Sequence, residues 1–565
     1  MSAMRHSKLE KNLHFSLTSY LELSQTYTME LQPNLVILLL LAALGIAGLS
    51  IQRFLTRRQF ARRHRCQPVA RCSSKDPFLG LDTIPGTIRA IRGHRILQRG
   101  CELFREYGNT FRVKELHRSA ILTIEPENIK TILSLRFADY GISHRLKPFK
   151  PLLGEGIFTT DGEHWASSRA LIRPSFARER VADLRLLEGL IQDLLVLLPR
   201  DSSTVDLQGL FFLYTLDAAT EFLFGQSVGM LKERKSTGEF GTSKRSTGEP
   251  GFAEAFHYSQ KAALTRSTLG PLSALYRDRK ADDCNRICRG FAQQFVEEAV
   301  YAAATKKGEG EEEIEKKREQ KRIFSHELAS RTSDQRRILN ELMNVLLAGR
   351  DTTASLLSNL FFVLAKNPRI WKKLRNEVSV LQGQPPTYEQ LRGLKYVQYC
   401  VNECMYSLAP LPLPMLLLLT DLHPAALRLH PVVPRNDREA IRDTVLPLGG
   451  GNDGLSPVFV PKGTLVAYNV YAMHRRADLY GPDAEEFRPE RWEDGMLQPC
   501  WGYLPFNGGP RICIGQRYAL TEVSYVLVRM VQEFRRLESR DPGPWEESLA
   551  LTLCSRNGTK VGLIP

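Results

Sequence analysis

Pro505-Phe506-Asn507-Gly508-Gly509-Pro510-Arg511-Ile512-Cys513-Ile514-Gly515 decides the reading of this chain. A cysteine stands among glycines just before a helix-patterned run at 517–534. That setting suits a thiolate. Glycines let the backbone close tightly so that amides can point at the sulfur. A helix N-terminus favours negative charge beside it. A thiolate of this kind is what a haem iron needs if electron density is to be pushed toward O–O cleavage. Phe506 would cover the loop, and Arg511 would reach a haem propionate.

The loop resembles the ligand loop of the cytochrome P-450 superfamily, FxxGxRxCxG. Phe506, Gly509, Arg511, Cys513 and Gly515 occupy its fixed positions. The resemblance implies a mainly α fold with a small β subdomain (α+β), haem b, and Cys513 as the axial ligand of its iron.

Upstream, Leu346-Leu347-Ala348-Gly349-Arg350-Asp351-Thr352-Thr353-Ala354 interrupts an apolar helical run. Small residues let a helix approach a flat cofactor. An acid and a hydroxyl inside such a helix need partners, and oxygen with its waters are suitable ones. The segment is similar to the family's AGxDTT. By that resemblance Ala348 and Gly349 lie against the haem, Thr352 steers protons to oxygen there, and Asp351 feeds the relay.

Trp165 and Arg169 stand four apart and share a helix face. Both side chains are donors without acceptors. The family's WxxxR contacts a propionate, and so does the family position matched by Arg435. Phe487-Arg488-Pro489-Glu490-Arg491-Trp492 matches the family's PxRx meander, whose arginine locks to the Glu and Arg of an ExxR helix. Arg491 is therefore expected to be structural.

That ExxR helix is broken. Glu403 and Arg428 look like its two ends, yet they lie 25 apart. Pro410, Pro412 and Pro414 fall between them, and a helix does not carry such a run in its interior. One reading is a retained intron carried into translation over 404–426. Cys404-Met405-Tyr406 can be encoded with a donor-like GTATGT, and 423–426 with an acceptor-like CAG. Joining them restores Glu-Ser-Leu-Arg in frame. The other readings are an insertion looped away from the core, or a protein unable to hold haem.

The remaining chain sets the context. Of 565 residues, 43% are apolar and 25% charged, ordinary for a globular chain with a core. The net charge is +15, and eight basic residues with no acid lie between Gln52 and Lys75. They follow an uncharged run of seventeen residues, 35–51. A cleaved signal peptide carries its basic residues before the apolar run. Here they follow it, which indicates a retained anchor with the following chain in the cytosol. Placed after an apolar run, they are the flank of a membrane helix, and nucleic acid is not an expected partner. The ten scattered cysteines complete no zinc site.

The expected organisation is an N-terminal extension at 1–34, with Met29 as an alternative start, a transmembrane anchor at 35–51, a basic linker at 52–75 and the catalytic domain at 76–565. Helices are expected over 181–198, 291–304, 338–364 and 520–534, and strands over 110–115, 120–124 and 458–468.

Several segments, among them KDPFLGLDTI, LLGEGIFTTDGEHW and FNGGPRICIGQRYALTEVSYVLVR, resemble the fungal and yeast alkane and fatty-acid hydroxylases. The resemblance implies oxygen insertion at or near a terminal methyl. Electrons would come from NADPH through a membrane reductase, and the enzyme would sit in the endoplasmic reticulum membrane beside its hydrophobic substrate. The alternatives are a hydroxylase of another lipophilic metabolite or xenobiotic, a non-oxidative haem-thiolate enzyme, or an inactive membrane haem protein.

Overall fold

The computed structural model describes residues 33–73, 76, 80–115, 118–237, 251–305, 323–402, 428–493, 497 and 500–565. Glu403 and the interval 404–426 lie outside them, as does the extension up to residue 32.

The chain divides into two units, 1–64 and 65–565. The described part of the first is one helix, α1 (Pro33–Arg63), 31 residues long. It does not stop at 51 but takes in five of the eight basic residues. A helix continues when nothing breaks it, and 52–63 holds neither proline nor glycine. Among the described residues no helix is long and apolar enough to cross a membrane. The side chains of residues 35, 36 and 39, within the expected anchor, lie outside the description.

The second unit is mainly helical. Its main sheet starts inside the expected linker: β1 (Ala70–Arg71) pairs in parallel with β2 (Thr110–Glu115). β2 pairs antiparallel with β3 (Arg118–Thr123). The sheet is completed by β4 (Tyr140–Gly141), β5 (Arg435–Ala440) and β8 (Leu465–Asn469), in the order β1-β2-β3-β8-β5-β4. β6 (Thr444–Gly450) and β7 (Ser456–Val460) form a separate hairpin. The single strand expected over 458–468 is thus two, β7 and β8. Pro461 cannot donate to a ladder and Gly463 takes φ 85°, so the chain turns between them.

Helices α2 (Gly162–Ile172), α3 (Leu207–Phe224), α4 (Phe252–Leu269), α5 (Arg279–Thr305), α6 (Gln335–Ala365) and α7 (Gln516–Glu533) surround a single large core. The helix expected over 181–198 is found at Arg185–Val196, with a separate helical turn, Arg178–Val181, before it. α6 runs through the middle of the core. Asp334 caps it, accepting from the Arg337 N–H. α3 packs along α6, and α7 packs against it from another side.

The segment LLGEGIF seen in the sequence is tied onto α6. Ile157 N–H donates to Glu341 at 3.2 Å and Phe158 N–H to Asn344 at 3.1 Å. Gly154 has φ 66°, and a Cβ there would stand 2.0 Å from Asn340 Oδ1, so the close approach requires glycine.

Candidate functional site

The cysteine loop is folded as its glycines suggest. Gly509 has φ 66°, and a Cβ on it would meet the Leu133 carbonyl oxygen at 1.9 Å. Asn507 also sits at positive φ, 64°. Cys513 N–H donates to the Phe506 carbonyl at 3.0 Å, closing the loop. α7 begins three residues after Cys513, so the sulfur stands at a helix N-terminus.

Cys513 is an exposed residue. Desolvation nonetheless raises its thiol pKa, opposed by the Gly515 N–H and by the charge of Arg169. Both facts hold together when the sulfur fronts a space enclosed by protein. A bound metal cation would reverse the first effect and deprotonate the thiol.

α6 supplies a second accessible surface. From 338 to 362 every residue of this helix is buried except Leu347, Ala348, Gly349 and Thr352. Thr352 follows Gly349 by three residues and Ala348 by four, so its side chain shares a face with both. An accessible patch in the middle of an otherwise buried helix leaves room there for a bound group. The Thr352 hydroxyl donates to the Ala348 carbonyl at 2.6 Å. Asp351 points elsewhere: its Oδ1 accepts from Arg350 Nη1 at 2.7 Å, and both residues are buried.

The two donors on α2 differ in surroundings. Trp165 is buried, and the cation over its ring is Arg511 (Cζ 4.3 Å from the centroid) rather than Arg169. Arg169 makes no hydrogen bond or ion pair with any described residue, and its one favourable charge partner is Cys513. A half-buried guanidinium without an acid is a ready site for an anion.

Arg511, expected at a propionate, has a carboxylate of its own. Its Nη2 donates to Asp161 Oδ1 at 2.7 Å and to the Thr160 carbonyl at 2.8 Å. Burial pulls its pKa down to about 10, against Asp161. Arg435 opens β5 at the surface, in register with Asn469.

Arg428 and Arg491 come together as the meander pattern suggests. Arg428 is fully buried; it donates to the carbonyls of His474 (3.1 Å), Ala484 and Glu486 (2.7 Å). Arg491 donates to the same Glu486 carbonyl at 3.3 Å, and to Asp483 and Tyr480. Their expected partner Glu403 is outside the described residues.

Three features had no reading in the sequence. One is a polar network that grips the cysteine loop. Tyr468 on β8 donates to Asn507 Oδ1 at 2.7 Å, and Asn507 Nδ2 donates to the Arg511 carbonyl at 3.4 Å. Beside it Arg145 pairs with Asp437 at 2.5 Å, and His144 with the same carboxylate at 3.0 Å. Burial opposes the charge of Asp437, but Arg145 and His144 prevail and hold its carboxyl well below the usual range.

A second is Glu522 on α7. Burial pushes its pKa up to about 8, with the Thr353 hydroxyl opposing. Its Oε1 and the hydroxyls of Tyr214 and Tyr518 have no partner among the described residues. A lone acid on an apolar helix face was the available signal. The third is Arg350, quoted in its motif but given no role.

These residues fit a haem: a thiol with an N–H donor, a small-residue helix face, and two propionate-class donors of which Arg169 is unpartnered among the described residues. The comparisons agree. The cytochrome P450 family model matches residues 83–421 and 425–560. The chain belongs to the cytochrome P450 family, which implies haem, and it is a monooxygenase of the oxidoreductase class.

It is 46% identical over 532 residues to the cytochrome P450 monooxygenase himC of Aspergillus japonicus, covering 92% of this chain and 89% of that one. It is 44% identical to the cytochrome P450 monooxygenase fsdH of Fusarium heterosporum (91% and 86%). It is 43% identical to cytochrome P450 52A3-A of Candida maltosa (78% and 80%). The family match skips 422–424, inside the suspected insertion.

Proposed function

We propose that this protein hydroxylates the terminal or near-terminal carbon of n-alkanes or fatty acids. Electrons come from NADPH through a membrane reductase. The helix over 35–51 anchors it in the endoplasmic reticulum membrane, with the catalytic domain in the cytosol. The observation that carries the reading is the pairing of an accessible Cys513 thiol with an accessible patch on the otherwise buried α6.

Cys513 would hold the haem iron through its thiolate, and Arg169 with Trp165 would receive a propionate. When bound, the haem supplies oxygen activation at its iron. The chain's residues do the rest. Ala348 and Gly349 leave room for the cofactor. The Thr352 hydroxyl leaves the Ala348 carbonyl to hand on a proton, and Asp351 resupplies it. Leu347 on α6 offers apolar surface to a hydrocarbon.

The substrate class is supported by the segments resembling alkane and fatty-acid hydroxylases. The anchor is supported by the continuous helix α1, in which Ile37, Leu38, Leu40, Leu41, Leu44, Ile46, Leu49 and Ile51 are all exposed. Seventeen helical residues span about 26 Å, near a bilayer's hydrocarbon thickness. The interval 404–426 is proposed to be absent from the working enzyme.

The test is the reduced carbon-monoxide difference spectrum of the chain as written beside one with 404–426 replaced by a single serine. It is followed by product analysis with hexadecane and palmitate in the presence of reductase and NADPH. A band near roughly 450 nm with terminal alcohol as product is expected from the repaired chain. A band without hydroxylation of either probe would discard the substrate class. No band from either chain would discard the role of Cys513.

A further inference from the structure

The cysteine loop is entered through Tyr503-Leu504-Pro505. Pro505 has no N–H to give, so Leu504 is the last residue before Phe506 whose amide can be tied down. Its side chain is buried, and a Cβ on Gly508 would stand 3.2 Å from Leu504 Cδ2, so Leu504 packs under the loop. Its carbonyl accepts from the Asn507 N–H at 3.4 Å.

The Leu504 N–H donates to Nε2 of His474 at 3.0 Å. His474 is fully buried and follows the short helix Val470–Met473. Its other ring nitrogen, Nδ1, lies 3.2 Å from the Arg428 carbonyl. A backbone amide only donates, so Nε2 is the acceptor. A carbonyl only accepts, so Nδ1 carries the hydrogen. These two partners hold the ring neutral and in one tautomer.

Arg428 returns the contact, its Nη1 donating to the His474 carbonyl. The imidazole also stacks on Tyr503, with centroids 4.8 Å apart and planes 21° from parallel. A second tie runs beside the first. The Tyr480 hydroxyl donates to the Gly502 carbonyl at 3.0 Å, and the Arg428 guanidinium lies 5.2 Å from the Tyr480 ring. Filling the core does not call for this arrangement. Both ring nitrogens are spent on backbone, one at the most buried arginine of the scaffold and the other at the mouth of the cysteine loop.

We propose that His474 is a positioning residue that carries the fixity of Arg428 to Leu504 and so holds the cysteine loop at the height where Cys513 can keep an iron. This rests on the reading of Cys513 as the haem ligand. The two bonds divide the work. The bond from Leu504 fixes the loop, and the bond to Arg428 fixes the ring.

Two substitutions separate them in the full chain. In His474→Asn, Nδ2 takes the place of Nδ1 and donates to the Arg428 carbonyl, but nothing reaches Leu504. In His474→Gln, Oε1 takes the place of Nε2 and accepts from Leu504, while the bond to Arg428 is lost. Three quantities are read: amide hydrogen exchange over 500–512 by mass spectrometry, the rate at which the thiolate band of the reduced carbon-monoxide complex converts to its inactive form, and the urea midpoint of the apo-chain.

Each variant loses one hydrogen bond, so the two urea midpoints should fall alike. His474→Asn should exchange about fivefold faster at the loop entry, the equivalent of one lost bond, and its thiolate band should convert several times faster. His474→Gln should stay close to wild type in both. Exchange and conversion that are the same in the two variants overturn the proposal, because the ring would then only fill the core. Unchanged exchange in His474→Asn overturns it too. If neither variant takes up haem, exchange in the apo-chains decides: faster in His474→Asn alone upholds the tie, and equal rates discard it. A wild-type chain without a thiolate band discards the ligand reading and with it the purpose of the tie, whereas equal exchange in the two variants discards the tie itself.

Discussion

Arg428 and Arg169 are both guanidinia held in the interior, and they are treated in opposite ways. Arg428 is fully enclosed and surrounded by the carbonyls of His474, Ala484 and Glu486. Arg169 is half-buried beside a thiol, with no acid or carbonyl on it among the described residues. A guanidinium whose two terminal nitrogens are held by backbone carbonyls is part of the scaffold, because those bonds are made without any ligand. One left with open donors next to an accessible sulfur is held in reserve for something the chain itself does not supply.

The sharpest test of that contrast is the sulfur. Cys513→Ala should abolish the thiolate band altogether in the carbon-monoxide spectrum. Next comes the direct comparison. Arg428→Ala leaves several carbonyls unpaired at the centre of the meander and should cost about 3–5 kcal/mol, a large part of a typical stability, read by urea denaturation. Arg169→Ala should leave the apo-chain's denaturation midpoint nearly unchanged while haem dissociates several times faster, followed by transfer to apomyoglobin. Equal loss of stability in both variants would break the comparison.

Glu522 sharpens it from the acidic side. Its folded pKa of about 8 lies above the ordinary carboxyl value near 4.3. The folded state therefore binds this proton more tightly than the unfolded one. The stability it contributes is complete below about pH 4 and fades as pH rises toward 8. Glu522→Gln should flatten that decline, measured as the denaturation midpoint from pH 5 to 8. Asp437 has the opposite sign: its depressed pKa gives stability that is present above about pH 4 and is lost as pH falls below it. Asp437→Asn should remove that acid sensitivity.

The smallest expected effect is at the Tyr468–Asn507 bond. Tyr468→Phe deletes one buried hydrogen bond and should cost about 1 kcal/mol. The change should show chiefly as faster conversion of the thiolate band to its inactive form on warming.

Much of the site was legible because its chemistry is local. The FxxGxRxCxG loop carries its cysteine, its glycines and its helix start within eleven residues. The AGxDTT segment likewise places its small residues and hydroxyl by helical spacing alone. What stayed hidden involves partners far apart in the chain. Asp161 takes Arg511 across 350 positions, and Tyr468 reaches Asn507 across 39. No periodicity signals such pairs. Element ends were lost where local chemistry changed quickly, as at Pro461 and Gly463, which divide one expected strand into β7 and β8.

By itself the sequence determined the family, the cysteine and the order of the helices, because patterns of side-chain type repeat at helix and loop spacing. Only the tertiary structure decided which charges are satisfied. It showed that Arg511 already has a carboxylate, that Arg169 has none among the described residues, and that Asp351 is tied to its own neighbour. The physical reason is that the energy of a charge depends on what surrounds it in space, and burial with or without a partner is a property of the packed chain.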